Sequence, residues 1–349
     1  MANGKVDIAS LEQPALAAFL EGIGEPRYRA AQIFAWIHRG AASFEEMTDL
    51  AKPLRVKLSE KAEIILPRVK KKLVSDRDNT LKYLYALPDG EMVETVLMDY
   101  RHGNSVCIST QAGCRMNCAF CASSLRGLAR SLAPSEMLGQ VLKTQADSGR
   151  KISNVVLMGI GEPLDNYENV VTFLRILSAP GGVNIGQRHI SLSTCGLVDR
   201  IYDLMAERFQ ITLSVSLHAP NNEIRSRLMP VNRKYPIEEL LHACRDYTAA
   251  TKRRISFEYA MIDGVNDTEA CARELGSRLR GMLCHVNLIP ANEVKERGVK
   301  KSGEPQIRRF QNILSGCGIT ATVRRTLGAD INASCGQLRL RNAAAQGGI

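Results

Sequence analysis

Three cysteines in the first half of the chain have a spacing that is typical of iron–sulfur ligands. Cys114, Cys118 and Cys121 form the pattern C-x3-C-x2-C, directly after a predicted strand at Ser105–Ser109. Thiolates are the usual ligands of a [4Fe–4S] cluster. Three ligands on one loop hold three irons and leave the fourth iron open. The alternatives are a zinc site without a nearby fourth ligand, or three unrelated cysteines.

An open iron indicates a particular chemistry. It can chelate the amino and carboxylate groups of S-adenosylmethionine (SAM), and one electron from the cluster then cleaves the S–C5′ bond. The product is a 5′-deoxyadenosyl radical that can abstract an unactivated hydrogen atom. The cysteine spacing therefore favours a radical-SAM enzyme, with Phe120 shielding the cluster or packing near the adenine of SAM.

Glycines and polar side chains stand at the ends of other predicted strands. In the turn at residues 159–163, glycines permit close approach to a ligand, and the Glu162 carboxylate can receive the ammonium group of SAM. Ser193, residues 216–218 and Asn292 also end or follow strands. One such residue is typical of a hydrogen-bonded loop, but the recurrence at strand ends favours ligand contact.

A repeated strand–loop–helix pattern from about residue 104 positions these residues. The predicted strands are Ser105–Ser109, Asn154–Met158, His189–Ser193, Ile211–Ser216, Ile255–Ala260, His285–Ile289 and Thr320–Arg324. Helical patterns lie between most of them, for example at Pro134–Ala146 and Ile237–Ala250. The alternation predicts an α/β fold with a parallel sheet, closed or partly closed as a barrel. Chemistry in such folds gathers at the C-terminal ends of the strands.

The first hundred residues have a different pattern. Helices are predicted around Leu16–Leu20, at Tyr28–His38 and at Lys52–Ala62. Two β-rich segments, Leu81–Leu87 and Met92–Met98, flank a Pro-Asp-Gly turn and predict a hairpin. We therefore expect three parts along the chain: a helical accessory domain at residues 1–75, a β-hairpin or linker at 76–103, and a catalytic barrel with a C-terminal reactive loop at 104–349.

The composition is that of a globular protein with a basic excess. The chain of 349 residues has 46 Lys and Arg against 36 Asp and Glu, a net charge of +10. The first hundred residues hold 14 Lys and Arg against 15 Asp and Glu, so the remainder carries the excess. This predicts a polyanionic partner, or else a solvated basic surface.

The expected lack of a targeting signal and the cysteine content indicate the same compartment. We expect no signal peptide and no membrane contact, because the sequence contains neither a basic segment followed by an apolar stretch at its start nor a long apolar run. Ten cysteines in such a chain indicate a reducing compartment and metal or catalytic work. We therefore expect a cytoplasmic protein.

Longer motifs resemble those of the RlmN/Cfr family, radical-SAM methyltransferases that modify an adenine in 23S ribosomal RNA. The segments that carry the resemblance are Val93–Val96, Ser105–Cys114, Met158–Leu164, Ser216–Asn221, Val286–Pro290 and Val323–Leu338. The match spans nearly the whole chain and is looser in the N-terminal helices. It implies a partial (β/α)6 radical-SAM barrel.

The resemblance also implies roles for individual residues. Cys335 is the cysteine that is itself methylated, Cys107 is its resolving partner, and Glu94 is an acidic group that accepts a proton. The positions that match SAM contacts are Gly161, Glu162, Ser193, Ser216, Leu217, His218 and Asn292. The chain has Asn332 and Ser334 where the family usually has Asp and Ala. Asn332 removes a charge beside the nucleophile.

From the residues alone, simpler interpretations stay open. Cys107 is otherwise a buried apolar cysteine in a strand, and Glu94 a surface carboxylate on a hairpin. Gly336 suits a flexible turn that can swing Cys335 inward. The remaining cysteines are assigned to the core or to incidental roles: Cys195, Cys244, Cys271, Cys284 and Cys317.

The implied reaction uses two SAM molecules per turnover. Cys335 takes a methyl group from one SAM by nucleophilic displacement. The radical from the second SAM removes hydrogen from that S-methyl group, and the resulting S–CH2 radical adds to the adenine. After a base removes the ring proton, Cys107 attacks the sulfur of Cys335, forms a disulfide and releases the RNA. An electron donor such as a flavodoxin or a ferredoxin is required.

The leading hypothesis is methylation of C2 of an adenine in 23S ribosomal RNA, and of the adenine next to the anticodon in transfer RNA. C8-methylation of the same ribosomal adenine is the alternative. A maturase acting on other substrates and a non-enzymatic iron–sulfur RNA-binding module are other classes. The basic side chains expected to meet phosphates are Arg225, Arg227, Arg233, Lys234, Lys252–Arg254 and Lys295–Lys301, with Arg27, Arg29 and Arg39 on the N-terminal helices.

Overall fold

An eleven-stranded mixed sheet organises the chain, whose computed structural model describes residues 4–292, 294–334, 336–337 and 341–342. Seven strands run parallel, side by side in sequence order: Gly103–Cys107, Ile152–Leu157, Ile190–Thr194, Thr212–Ser216, Ile255–Met261, Cys284–Pro290 and Ala321–Val323. Each overlaps a predicted strand, so the prediction of a parallel α/β sheet is confirmed.

Helices follow the parallel strands and bury their apolar faces against the sheet. They are Pro134–Ser148, Tyr167–Ser178, Val198–Ala206, Asn222–Leu228, Ile237–Thr251, Glu269–Leu279 and Glu304–Gly316. Within the described residues, the first and last parallel strands are not hydrogen-bonded to each other. The barrel is therefore partial, as the resemblance implies.

Alternate side chains of the parallel strands meet two different environments. Leu192, Leu213 and Val215 are fully buried in the hydrophobic core. Ser191 and Ser214, on the opposite face, share a hydrogen bond of 3.1 Å between their hydroxyl groups. This alternation gives the inner face of the sheet a polar lining that leads to the carboxyl ends of the strands.

Three antiparallel strands extend the same sheet beyond Gly103–Cys107: Arg68–Val74, Leu81–Ala86 and Glu91–Tyr100. The predicted hairpin is confirmed, but it continues the barrel sheet instead of forming a separate linker. The first of the three antiparallel strands, Arg68–Val74, precedes the hairpin and lies within the part that we expected to be helical. A further short strand, Arg341–Asn342, pairs with residues 91–92.

The register of this extension places functionally interesting residues on one face. Lys82 lies opposite Val96, and Val96 lies opposite Cys107. Glu94 is two residues from Val96 and therefore points to the same face. The extension thus places Lys82 and Glu94 on the same face as the predicted resolving cysteine.

The N-terminal part forms the three predicted helices, Gln13–Gly22, Arg29–His38 and Lys52–Lys61. It docks on the sheet domain through polar contacts: Ser135 Oγ donates to the Asp7 carboxylate at 2.6 Å, and the Val183 N–H donates to His38 Nδ1 at 3.1 Å. Every helix in the described part of the chain is too short or too polar to span a lipid bilayer.

Candidate active site

A cavity opens at the C-terminal ends of the parallel strands. Nine of the predicted site residues line it: Cys114, Cys118, Cys121, Gly161, Glu162, Ser193, Ser216, His218 and Asn292. They converge because parallel strands present their carboxyl ends at one edge of the sheet. Phe120 lines the same cavity, where its ring meets the ring of His218 edge to face at 4.6 Å.

A short antiparallel stem holds the cysteine loop, with Gln111–Gly113 paired to Leu128–Ser131. The N–H of Cys114 donates to the carbonyl of Gly127 at 2.9 Å. Gly113 has a φ of +83°, and a Cβ there would lie 2.0 Å from the Gly127 carbonyl oxygen. The stem therefore requires glycine at this position.

The three thiols share one cavity and form a donor set that suits iron. Burial raises the pKa of Cys114 to about 12, and burial with the neighbouring thiols raises the pKa of Cys118 well above its ordinary value. As thiolates they need a strongly cationic group, which the irons of a [4Fe–4S] cluster supply. Among the described residues no three Cys, His, Asp or Glu side chains surround a single-ion site, but each thiolate of a cluster binds a different iron.

Glu162 is a buried carboxylate held by two backbone donors. Its Oε1 accepts from the N–H of Leu164 at 3.0 Å and its Oε2 from the N–H of Cys195 at 2.7 Å. Burial raises the pKa of Glu162, and these hydrogen bonds oppose the rise. Gly161, at a φ of +109°, packs so closely on Gln111 that a Cβ would lie 2.6 Å from the Gln111 Cβ. The turn thus fixes an acidic group in the cavity wall.

His218 is buried and neutral. Its Nδ1 accepts from the N–H of Ala260 at 2.8 Å, which places the ring proton on Nε2. Burial lowers the pKa of His218 to about 3. The residue has a φ of +55°, so the backbone turns sharply where the strand ends.

Leu217 differs from the other predicted SAM contacts in the described chain, because its side chain lies in the hydrophobic core and not in the cavity lining. Its N–H donates to the carbonyl of Glu258 at 3.0 Å, and its carbonyl accepts from Arg225 at 3.3 Å. Leu217 therefore shapes the strand end, and its contact with SAM stays a prediction.

Two arginines in the basic runs that we expected to meet RNA phosphates make contacts within the site. Arg225 is fully buried, and its guanidinium donates to the Cys195 carbonyl at 2.7 Å. That prediction is wrong, because the folded chain encloses this side chain. Arg297 donates to Asn117 Oδ1 at 3.0 Å and to Ser124 Oγ at 2.9 Å, and these hydrogen bonds stabilise the cysteine loop.

Sequence reasoning missed several residues of the cavity wall. Glu258 is 4% exposed and accepts hydrogen bonds from Ser256 and Asn287 at 3.0 and 2.8 Å. A single charged residue in a mostly apolar strand was the available signal. Cys195, which we assigned to the core or to an incidental role, is buried in a hydrophobic cluster and also lines the cavity; its position directly after a strand was the signal.

A second cavity adjoins the first and contains Cys107. It is lined by Val96, Met98, Cys107, Leu327, Ala333 and Ser334, and it shares Met158, Ile289, Asn292 and Arg324 with the first cavity. Cys335 lies outside the described residues. Of its sequence neighbours, Ser334 lines the second cavity, while Gly336 lines the first and accepts a hydrogen bond from the N–H of Ala122 at 2.8 Å.

Glu94 is buried, so its interpretation as a surface carboxylate is wrong. It is 2% exposed, and its Oε1 lies 3.1 Å from Lys82 Nζ. Lys82 Nζ also donates to the carbonyl of Asn332 at 2.9 Å. Proton acceptance by Glu94 stays a prediction.

The two departures from the family pattern have structural explanations. Asn332 is exposed and has a φ of +51°, a left-handed conformation that asparagine adopts more readily than most residues. Its missing charge therefore concerns a solvent-facing position. Ser334 Oγ donates to the Leu327 carbonyl at 3.0 Å, a contact that alanine could not make.

Comparison with known proteins identifies relatives over nearly the whole length. The model of the Radical SAM superfamily matches residues 108–273, and that of the Ribosomal RNA large subunit methyltransferase N-terminal domain matches residues 6–64. A protein of Alkaliphilus oremlandii, named "Probable dual-specificity RNA methyltransferase RlmN", is 52% identical over 97% of this chain and 98% of its own. A protein of the same name from Lachnoclostridium phytofermentans is 52% identical over 96% of this chain and 94% of its own.

A solved structure shares the fold. The crystal structure of a radical SAM methyltransferase from Sphaerobacter thermophilus superposes with a TM-score of 0.91 at 45% identity. It covers 95% of this chain and 99% of that one.

Proposed function

Because this chain belongs to the RlmN family of radical-SAM RNA methyltransferases, we propose that it methylates C2 of an adenine in 23S ribosomal RNA and of the adenine next to the anticodon in transfer RNA. The observation that carries the proposal is the adjacency of two cavities, one lined by the predicted cluster ligands and the other by Cys107. The sequence neighbours of Cys335 line both. We place the reaction in the cytoplasm.

In this proposal Cys114, Cys118 and Cys121 hold the cluster. The residues that surround SAM are Gly161, Glu162, Ser193, Ser216, Leu217, His218 and Asn292. When bound, the cluster and SAM supply the methyl group and the 5′-deoxyadenosyl radical, with two SAM molecules used per turnover. A flavodoxin or ferredoxin supplies the electron.

The chain's own residues carry the methyl group and release the product. Cys335 accepts the methyl group at its sulfur and transfers the carbon to the adenine, whose ring proton Glu94 accepts. The adduct then loses one electron, which would return to the oxidised cluster, and the Cys107 thiolate attacks the sulfur of Cys335. The S–S bond forms as the S–CH2 bond breaks, its electron pair passes to the carbon on the base, and a proton completes the methyl group.

Mass spectrometry of nucleosides tests this proposal. Reconstituted protein is supplied anaerobically with SAM, a reductant, and either a 23S ribosomal RNA fragment or transfer RNA. We expect 2-methyladenosine from both RNAs, and none from the Cys114→Ala control. Formation of 8-methyladenosine would establish the alternative position. Formation of 5′-deoxyadenosine without any methylated nucleoside would contradict an RNA substrate.

A further inference from the structure

The segment at residues 327–334, which leads to Cys335, is hydrogen-bonded to the turn at residues 75–80. The N–H of Gly328 donates to Asp78 Oδ2 at 2.8 Å. Gly328 has a φ of +61°, and a Cβ there would lie 2.9 Å from Thr80 Cγ2. The two segments are therefore packed closely as well as hydrogen-bonded.

Asp330 makes a second contact with the same turn. Its Oδ1 accepts from Ser75 Oγ at 2.8 Å and its Oδ2 from the N–H of Asp76 at 3.0 Å. Ser75 is 3% exposed, so the donor of the first hydrogen bond belongs to a buried residue. Both oxygens of the carboxylate are engaged with one turn.

Lys82 makes the third contact. It lies one residue after the start of the strand that follows the turn, and its Nζ donates to the carbonyl of Asn332 at 2.9 Å. The same ammonium group lies 3.1 Å from Glu94, and the two side chains are 6% and 3% exposed. Lys82 thus connects the segment to the buried carboxylate that we propose as the proton acceptor.

The contacts fall at positions 328, 330 and 332, at every second residue on the approach to Cys335. We propose that Asp78, Asp330 and Lys82 form a clamp that positions Cys335 to accept the methyl group. This inference rests on the proposed function, since it requires Cys335 to be the acceptor. The three residues are positioning residues, because they act through the segment and not on the substrate.

The succession of contacts that the proposed reaction requires of Cys335 gives the clamp its physical purpose. The sulfur of Cys335 must meet a methyl donor, an adenine and Cys107 in turn, and a misplacement of about 1 Å can reduce a rate by about a hundredfold. On the other side of Cys335, the Gly336 carbonyl is bonded to the cysteine loop. The clamp therefore fixes the residues that precede Cys335, whereas this hydrogen bond fixes the residue that follows it.

Methylation of Cys335 in the absence of RNA tests the clamp without involving RNA binding. Labelled SAM is added, and the peptide that contains Cys335 is followed by mass spectrometry. We expect Asp78→Ala and Asp330→Ala to slow its methylation by about tenfold or more, as charge-assisted hydrogen bonds are lost. Iron content and SAM affinity should not change. Asp203→Ala, at an exposed helix position where the carboxylate pairs with Arg200 at 2.9 Å, is the matched control and should methylate at the wild-type rate.

Lys82 requires a second design, because Lys82→Met removes the ammonium group beside the buried Glu94 carboxylate and destabilises the fold. The double variant Lys82→Met/Glu94→Gln removes both charges together. We expect the double variant to fold and to bind the cluster, but to methylate Cys335 about tenfold more slowly than the wild-type protein. The single variant Lys82→Arg, which keeps the positive charge, should methylate Cys335 faster than the double variant.

The outcomes separate the clamp from the proposed function. Wild-type rates of Cys335 methylation in Asp78→Ala, Asp330→Ala and the double variant would overturn the clamp and leave the proposed function intact. An absence of methyl label on Cys335 in the wild-type protein would contradict the proposed function itself and, with it, the clamp.

Discussion

Buried acidic groups face the cysteine loop across the active-site cavity. Glu162 keeps a raised pKa from burial although two backbone donors oppose the rise. Glu258 is equally buried, and its Oε2 lies 4.0 Å from Arg324 Nη1. Buried carboxylates are stabilised when a cation or additional donors meet them. The ammonium group of SAM is such a cation, which makes the acidic wall a suitable place for its amino acid moiety.

Replacing Glu162 by glutamine should weaken SAM binding by about tenfold or more, because a charge-assisted hydrogen bond becomes a neutral one. Anaerobic equilibrium dialysis on the reconstituted protein measures the affinity. Glu168→Gln, an exposed position on the following helix, is the control and should bind SAM normally. Unchanged affinity in Glu162→Gln would remove this carboxylate from the SAM site.

Substitution of each of the two proposed catalytic cysteines should block the reaction at a different step. Cys335→Ala lacks the methyl acceptor, so neither methylated protein nor methylated RNA forms. Cys107→Ala keeps the acceptor but lacks the thiol that releases the RNA, so a covalent protein–RNA adduct should accumulate. Denaturing electrophoresis with labelled RNA detects the adduct. Methylated RNA from Cys335→Ala, or no adduct from either variant, would refute the mechanism.

Residues in contiguous motifs could be predicted from the sequence, and isolated ones could not. The cysteine triad and the turn around Glu162 carry their spacing within a few positions, and the structure brings them into one cavity. Glu258 and Cys195 reach the same wall from separate strands, so the weak signal that each carries in the sequence becomes specific only once the packed sheet brings them together. The burial of Arg225 likewise depends on carbonyl groups distant in sequence.

Among the secondary-structure elements, the parallel strands were predictable because each is a short segment of apolar residues, in several strands alternating with polar ones, bounded by loop residues. The strand Arg68–Val74 was not, since its sequence is mostly basic and its side chains are largely exposed. It forms because its backbone pairs with Leu81–Ala86. Tertiary pairing thus overrides a local pattern that does not resemble a strand.

Docking of the N-terminal helices should depend on pH through His38. Burial lowers the pKa of His38 to about 4 from an ordinary value of 6.5, and its Nδ1 accepts the Val183 N–H. A folded-state pKa below the unfolded value means that stability is complete above about pH 6.5 and is lost as the pH falls toward 4. We expect the melting temperature to fall by a few degrees between pH 7.5 and 5.

His38→Gln provides the comparison for this effect, because glutamine offers an acceptor that does not titrate. Its melting temperature, measured by circular dichroism, should change less with pH than that of the wild-type protein. Parallel pH dependences in the two proteins would show that His38 stays neutral or that its protonation is not coupled to docking.

Across the whole molecule, the basic side chains are concentrated at places that the net charge of each part of the sequence does not reveal. The first hundred residues are nearly neutral overall, yet the exposed edge strand Arg68–Val74 concentrates four cationic side chains, Arg68, Lys70, Lys71 and Lys72. Charged edges prevent pairing with other sheets. This edge also leads into the turn at residues 75–80, so it lies next to the segment that precedes Cys335.

RNA binding should therefore weaken steeply as salt is added, because phosphate contacts release counterions. We expect Lys70→Gln/Lys71→Gln to lower the affinity and to reduce the slope of log affinity against log salt by about one for each lost phosphate contact. Fluorescence anisotropy with a labelled RNA fragment measures both. Arg200→Gln is the control, since Arg200 is exposed on a helix and already paired with Asp203 at 2.9 Å. An unchanged slope in the double variant would mean that this edge serves only to block strand pairing, and a wild-type affinity independent of salt would contradict a phosphate-dominated RNA interface.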